Sequence, residues 1–155
     1  MEKQFDITEK LHEIYHKVLL NTPEDQLFAI PSSHNNNLFW NIAHVVVTEQ
    51  LLIYKLSGLT PRLDGDLIKK YSKGTFPEKK VTKREIEEVA DGLLNAPGWI
   101  REDYRKGIFK EFNPYTTSAQ VTLNKVEDAI SFNLVHLGIH YGTIRSILKL
   151  TALPA

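Results

Sequence analysis

The stretch of residues 38–56 constrains the fold more than any other part of the sequence. Thirteen of its 19 positions are apolar, and it is too long for one β-strand, so its length predicts an α-helix. Because apolar residues surround this helix, we expect it to be buried or to face a partner as well as the core. Asn37 is a good N-cap for the helix, and Gly58 is a good C-cap.

Three further segments repeat apolar residues at the three- and four-residue spacing of a helix, and they cover about residues 4–20, 82–107 and 125–150. Thr82 and Glu85 have the spacing of a capping box, which predicts the start of the third helix. Pro97 interrupts that segment, but its apolar phase continues, so we expect a kink rather than a break. Asn124 and Glu127 form a similar pattern before the last helix.

Long connections join these four segments. Residues 59–81 contain two Pro and two Gly residues, and residues 108–123 contain Pro114. A short helical turn is predicted around Leu67. Four long helices with such connections predict an all-α fold, a four-helix bundle with long inter-helix connections. The length of 155 residues fits a single domain covering residues 1–155.

Composition narrows the function classes. Lys plus Arg and Asp plus Glu each total 19, so the formal net charge is zero, which argues against nucleic-acid or anionic-membrane partners. The basic residues 69–84 are interpreted as a solvated loop rather than an anion-binding surface. Without cysteine the chain has no disulfide, thiolate nucleophile or Cys-ligated zinc. No apolar run is long enough to span a membrane, and we expect a cytoplasmic protein.

Histidine spacing is the strongest chemical signal in the chain. His12 and His16, like His136 and His140, are four residues apart and therefore share a helix face. Charged residues surround the first pair, so we expect it on a solvated helix edge. The second pair lies on the apolar face of the last helix, and His44 lies in the most apolar helix of the chain.

Burying His44, His136 and His140 separately would need three sets of hydrogen-bond partners, whereas one shared cation satisfies all three rings. Three imidazoles leave an open position on Zn²⁺, as a catalytic metal requires. We expect a divalent metal with Zn²⁺ or Ni²⁺ favoured, although Fe²⁺ and Mn²⁺ also fit this ligand type. Because imidazole binds metal only when it is neutral, affinity should fall below about pH 6. The competing interpretation is three core histidines that are hydrogen-bonded independently.

Two motifs resemble those of the DinB-like (DinB/YfiT-type) superfamily: Asn-Asn-Leu-Phe-Trp-Asn-Ile-Ala-His at residues 36–44, and residues 133–142 with their His-x-x-x-His spacing. The resemblance extends over nearly the whole chain in helix order and loop placement. It implies an up-down-down-up bundle with a divalent-metal site formed by His44, His136 and His140. Characterised members include transferases and isomerases in which the metal activates a low-molecular-weight thiol, and homodimers are common among them.

The leading hypothesis is a metal-dependent enzyme, a thiol-dependent transferase or a hydrolase, that acts on a small molecule and forms a homodimer. Trp40 is a candidate pocket wall, and Thr48, Glu49 and Asn133 are candidates for supporting the ligands or handling protons. The competing interpretations are a core role for Trp40 and a solvated charge for Glu49. The alternative function is a non-catalytic metal-binding or dimerising helical bundle, and the sequence identifies no catalytic side chain.

Overall fold

The computed structural model describes residues 1–78 and 80–152. Lys79, and Pro154 that the sequence places after the last helix, lie outside the described residues. Within them the chain forms α1 (Glu2–Asn21), α2 (Glu24–Leu27), α3 (Leu38–Gln50), α4 (Gly65–Tyr71), α5 (Lys83–Arg105), α6 (Val126–Thr151), a π-helical segment (Leu51–Lys55), and strands β1 (Tyr115–Thr116) and β2 (Thr122–Leu123). The predicted all-α fold is confirmed. None of the described helices is long and apolar enough to cross a membrane.

The four long helices pack around a shared core. Helix α1 packs against α5 and α6, and α3 packs against the same two helices. Residues 38–47 of α3 are all buried, as expected for a helix that is apolar on every side. Thr48 is the one residue of α3 that is not buried. A single helix in the middle of the core can therefore place side chains toward several neighbours at once.

Local sequence signals set the predicted helix starts. The Asn37 side chain accepts a hydrogen bond from the Trp40 backbone N–H at 2.8 Å, which caps α3. Thr82 and Glu85 form the predicted capping box at the start of α5. The cap predicted from Asn124 is wrong, because Lys125 is the N-cap and no side chain caps it.

Helix α5 continues through Pro97, as the apolar phase predicted. Proline has no N–H, so the carbonyl four residues earlier, that of Leu93, loses its helical partner. His12 of α1 occupies that position, with its Nδ1 3.1 Å from the Leu93 carbonyl oxygen. The expectation that His12 lies on a solvated edge is therefore wrong, since its side chain is 1% exposed.

Two features of the connections differ from the sequence expectation. The helix predicted over residues 38–56 becomes π-helical after α3, over Leu51–Lys55, where the Leu56 N–H donates to the Leu51 carbonyl oxygen at 3.2 Å in the i to i+5 pattern. The connection before α6 contains an antiparallel hairpin in which Tyr115 pairs with Leu123. Gln120 turns the hairpin with a φ of 59°, in the left-handed region. Both features border the candidate site.

Candidate metal centre and cavity

One histidine of α3 and two of α6 meet at a single point. One nitrogen from each of His44, His136 and His140 lies within 4.8 Å of the other two. The Nε2 atoms of His44 and His136 are 3.3 Å apart. Two nitrogens bound tetrahedrally to Zn²⁺ at ~2.0–2.1 Å are about 3.3–3.4 Å from each other. The spacing of these rings therefore fits a shared metal ion.

Contacts behind the His44 ring fix its orientation. Its Nδ1–H donates to the Tyr71 carbonyl oxygen at 2.7 Å, which leaves Nε2 with a free lone pair. The Trp40 indole stacks on the ring, with centroids 4.5 Å apart and planes inclined by 12°. Because Trp40 Nε1 donates in turn to the Thr75 hydroxyl at 3.0 Å, the indole is itself held in place.

His140 is oriented by an amide that the sequence analysis missed. Its Nδ1–H donates to Asn41 Oδ1 at 2.9 Å. Asn41 Nδ2 donates to the Asn37 carbonyl oxygen at 2.8 Å, so the amide oxygen is the atom that faces the histidine. The sequence did contain a signal for this residue, since an asparagine in a mostly apolar helix is buried and requires hydrogen-bond partners. A hydrogen bond of this kind to the non-ligating nitrogen typically supports metal-binding histidines.

His136 lacks a comparable support, since its buried Nδ1 has no hydrogen-bond partner among the described residues. Burial, together with repulsion from His140 and His44, lowers the pKa of His136 to about 3. Burial and the neighbouring His44 lower the pKa of His140 to about 4, and burial also lowers the pKa of His44. All three rings are therefore neutral at neutral pH, the form of imidazole that binds a metal.

The three histidines form part of the wall of a cavity of about 540 Å³. The rest of the lining comes from Thr48 of α3, the π-helical segment with Leu56, the hairpin and α6, and Lys73 is contributed by the segment after α4. Much of the lining is apolar, including Leu52, Phe132 and Ile139. The volume is in the range of cavities that bind small molecules.

Comparison with family models matches the DinB superfamily over residues 7–144. The chain belongs to the DinB superfamily. No curated protein matches the chain. The matched range includes His44, His136 and His140, and the family assignment made from the two histidine motifs is confirmed. Superfamily membership and the three-histidine group together fit a metal-binding site.

The structure separates the four additional residues that the sequence singled out in this DinB-superfamily chain. Trp40, predicted as a pocket wall, does not line the cavity but is buried and stacks on His44. Thr48 lines the cavity, with its hydroxyl 3.2 Å from His44 Nε2. Glu49 and Asn133 do not line it, and Asn133 Nδ2 donates to Glu49 Oε2 at 2.7 Å in the core. The alternative interpretation of Glu49 as a solvated charge is wrong, because its side chain is fully buried.

Glu49 is paired with His12 across the bundle core. His12 Nε2 lies 3.2 Å from Glu49 Oε2, and its Nδ1 faces the Leu93 carbonyl oxygen. An oxygen acceptor on each side favours the doubly protonated ring, although Nε2 has no well-aligned hydrogen bond. Burial alone would lower the pKa of His12, but the Glu49 carboxylate raises it above the ordinary value. Glu49 and His12 therefore form a buried pair that is separate from the three neutral histidines.

Proposed function

We propose that this DinB-superfamily chain is a divalent-metal-dependent enzyme, a transferase or a hydrolase, in which His44, His136 and His140 hold Zn²⁺ or Ni²⁺. The observation that supports this most directly is the position of three neutral imidazoles in the wall of a cavity of small-molecule size. A purely structural metal site is typically closed by four protein ligands, whereas a catalytic site keeps a position open toward its substrate.

Bound in this group, the metal would supply Lewis acidity and lower the pKa of a water or thiol. The chain itself places neither a thiol nor a carboxylate in the described cavity lining, because it contains no cysteine and no Asp or Glu is among those lining residues. Hydroxyl groups and two lysines also line the cavity, but we assign the nucleophile to a small molecule or to solvent because a bound metal would activate either one directly. A low-molecular-weight thiol would make the protein a transferase, and water would make it a hydrolase.

Neighbouring residues orient two of the proposed metal ligands and place a hydroxyl group beside them. The Tyr71 carbonyl and the Trp40 indole orient His44, and Asn41 orients His140. The Thr48 hydroxyl faces the cavity next to His44 and can donate a hydrogen bond to a substrate oxygen or sulfur. The apolar side chains of Leu51, Leu52 and Phe132 also line the cavity.

Metal analysis of protein purified without a histidine tag tests the proposed ligands. We expect about one divalent ion per chain. His140→Ala should lose most of it, because two imidazoles bind far more weakly than three. The matched control is His16→Ala, which removes a histidine that does not line the cavity. Unchanged metal content in His140→Ala would remove the proposal.

Two assays separate the reaction classes. Metal-loaded protein is mixed with cysteine or glutathione and 1-chloro-2,4-dinitrobenzene, and separately with 4-nitrophenyl acetate without thiol. Thiol-dependent product that requires His140 supports the transferase, and ester cleavage without thiol supports the hydrolase. Metal binding without turnover in either assay, or in wider screens of thiols and esters, would favour the alternative of a non-catalytic metal-binding bundle.

A further inference from the structure

The cavity lining has an uneven charge distribution. Lys55 and Lys73 both line it, and no Asp or Glu is among the described lining residues. The formal net charge of the whole chain is zero, so this positive character is local. A local excess of one sign in a partly apolar cleft attracts ligands of the opposite charge.

Neither lysine is neutralised within the described part of the chain. Neighbouring Lys69 and Lys70 form ion pairs, at 3.3 Å with Asp66 and at 2.9 Å with Glu85. No such pair involves Lys55 or Lys73 among the residues that the structure describes. The charges of these two lysines therefore remain available to a bound molecule.

The π-helical segment brings one of these lysines and several apolar side chains to the same wall. Leu51, Leu52, Lys55 and Leu56 all line the cavity. An i to i+5 turn is wider than an α-helical turn, and single π turns occur frequently at functional sites. This wall therefore carries both an apolar surface and a cationic group.

We infer that the cavity binds an amphipathic organic anion, with its apolar body against the leucines and Phe132 and a carboxylate, sulfonate or phosphate within reach of Lys55 and Lys73. The inference that this anion is the substrate rests on the proposed function, because the reaction would take place at the histidine cluster in the same cavity wall. The chemistry of the lining selects this class, since cations favour the charged group and the apolar side chains favour the body.

Two fluorescent probes of similar size, one negatively charged and one neutral, test the inference. One is the anion 8-anilinonaphthalene-1-sulfonate, and the other is the neutral N-phenyl-1-naphthylamine. Each is titrated into the full chain, both loaded with Zn²⁺ and treated with chelator. Lys55→Met with Lys73→Met removes both charges but keeps apolar stems. Lys17→Met with Lys110→Met removes two exposed lysines that do not line the cavity.

We expect the variant with both cavity lysines replaced to bind the anion roughly tenfold more weakly. Its affinity for the neutral probe should change by less than about twofold. The control variant should bind both probes as the wild type does. Moderate salt should weaken binding of the anion and spare the neutral probe. Ile139→Trp, at an exposed position in the cavity wall, should weaken both probes by filling the space.

Equal binding of the anion by wild type and cavity variant would overturn the inference. So would anion binding that survives Ile139→Trp unchanged, because the probe would then lie elsewhere. Metal content measured on the same samples separates the two proposals. Normal metal content with no lysine effect rejects the anion inference alone, and anion preference in a chain that binds no metal rejects the proposed function alone.

Discussion

Replacing Asn41 with leucine tests whether the geometry around His140 controls metal binding. Asn41 Oδ1 accepts the His140 Nδ1–H at 2.9 Å, and leucine of similar volume removes that acceptor. The ring then loses the contact that fixes its orientation and keeps Nε2 unprotonated. Loss of such a partner typically weakens metal affinity 10–100-fold, which corresponds to about 1.4–2.7 kcal/mol.

Asn133→Leu is the matched control. Both asparagines are buried, at 2% and 1% exposure, and each donates a side-chain hydrogen bond in the core. Asn133 bonds Glu49 and has no hydrogen bond to a histidine of the cluster. Both variants should lose stability, but only Asn41→Leu should lose metal affinity, with the control changing by less than about twofold.

Competition with a chromogenic chelator at constant pH measures the affinity, and urea denaturation of the metal-free proteins measures the stability. The stability data establish whether a weaker affinity merely reflects partial unfolding. Equal affinity in Asn41→Leu and wild type would refute the proposed role of the amide. An equal loss in the two variants would also refute it, because a general disturbance of the core would then explain the result.

Four further predictions concern stability and metal binding. His12→Leu leaves the buried Glu49 carboxyl group without its histidine partner and with only the hydrogen bond from Asn133, so it should cost about 3–5 kcal/mol in urea denaturation, and a loss below about 1 kcal/mol would contradict a charged pair. In the metal-free protein the lowered pKa values of His136, about 3, and His140, about 4, mean that the unfolded chain takes up protons first as the pH falls. Stability should therefore decrease from about pH 6.5 to about pH 4, and urea midpoints that stay constant across this window would contradict this prediction. Protons should likewise begin to compete with the metal only below the pH 6 predicted from the sequence. Gln120→Gly relieves a left-handed backbone and should raise stability by about 1 kcal/mol, whereas a decrease would indicate that the side chain matters more than the backbone.

The helices and the histidine cluster were predictable because their signals are local or periodic. Apolar spacing and caps such as Asn37 and the Thr82 box depend on residues a few positions apart. The cluster could be anticipated because His136 and His140 share a helix face and the histidine motifs resemble those of a known family. The homodimer, the thiol, the cytoplasmic location and the single domain stay predictions.

His12 shows what the sequence could not supply. Its neighbours along α1 are charged, which predicts exposure. Its partner is a carbonyl 81 residues away that became available only because Pro97 lacks an N–H. Such a pairing depends on which helices pack together, and α1 packs against α5 in this fold. The π turn is equally hidden, because one extra residue per turn leaves no trace in the apolar pattern of residues 51–55.

The segment of residues 71–75, which begins with the last residue of α4, contributes to both halves of the proposed function. The sequence presents it as an irregular basic loop, yet its Tyr71 carbonyl holds His44, and its Thr75 hydroxyl holds the Trp40 indole that stacks on that histidine. Lys73, between these two contacts, lines the cavity. An anion drawn to Lys73 would therefore bind to the same short segment that orients a metal ligand. If both proposals hold, the position of the substrate charge and the orientation of His44 depend on the same five residues, so a change in this segment should affect anion binding and metal binding together.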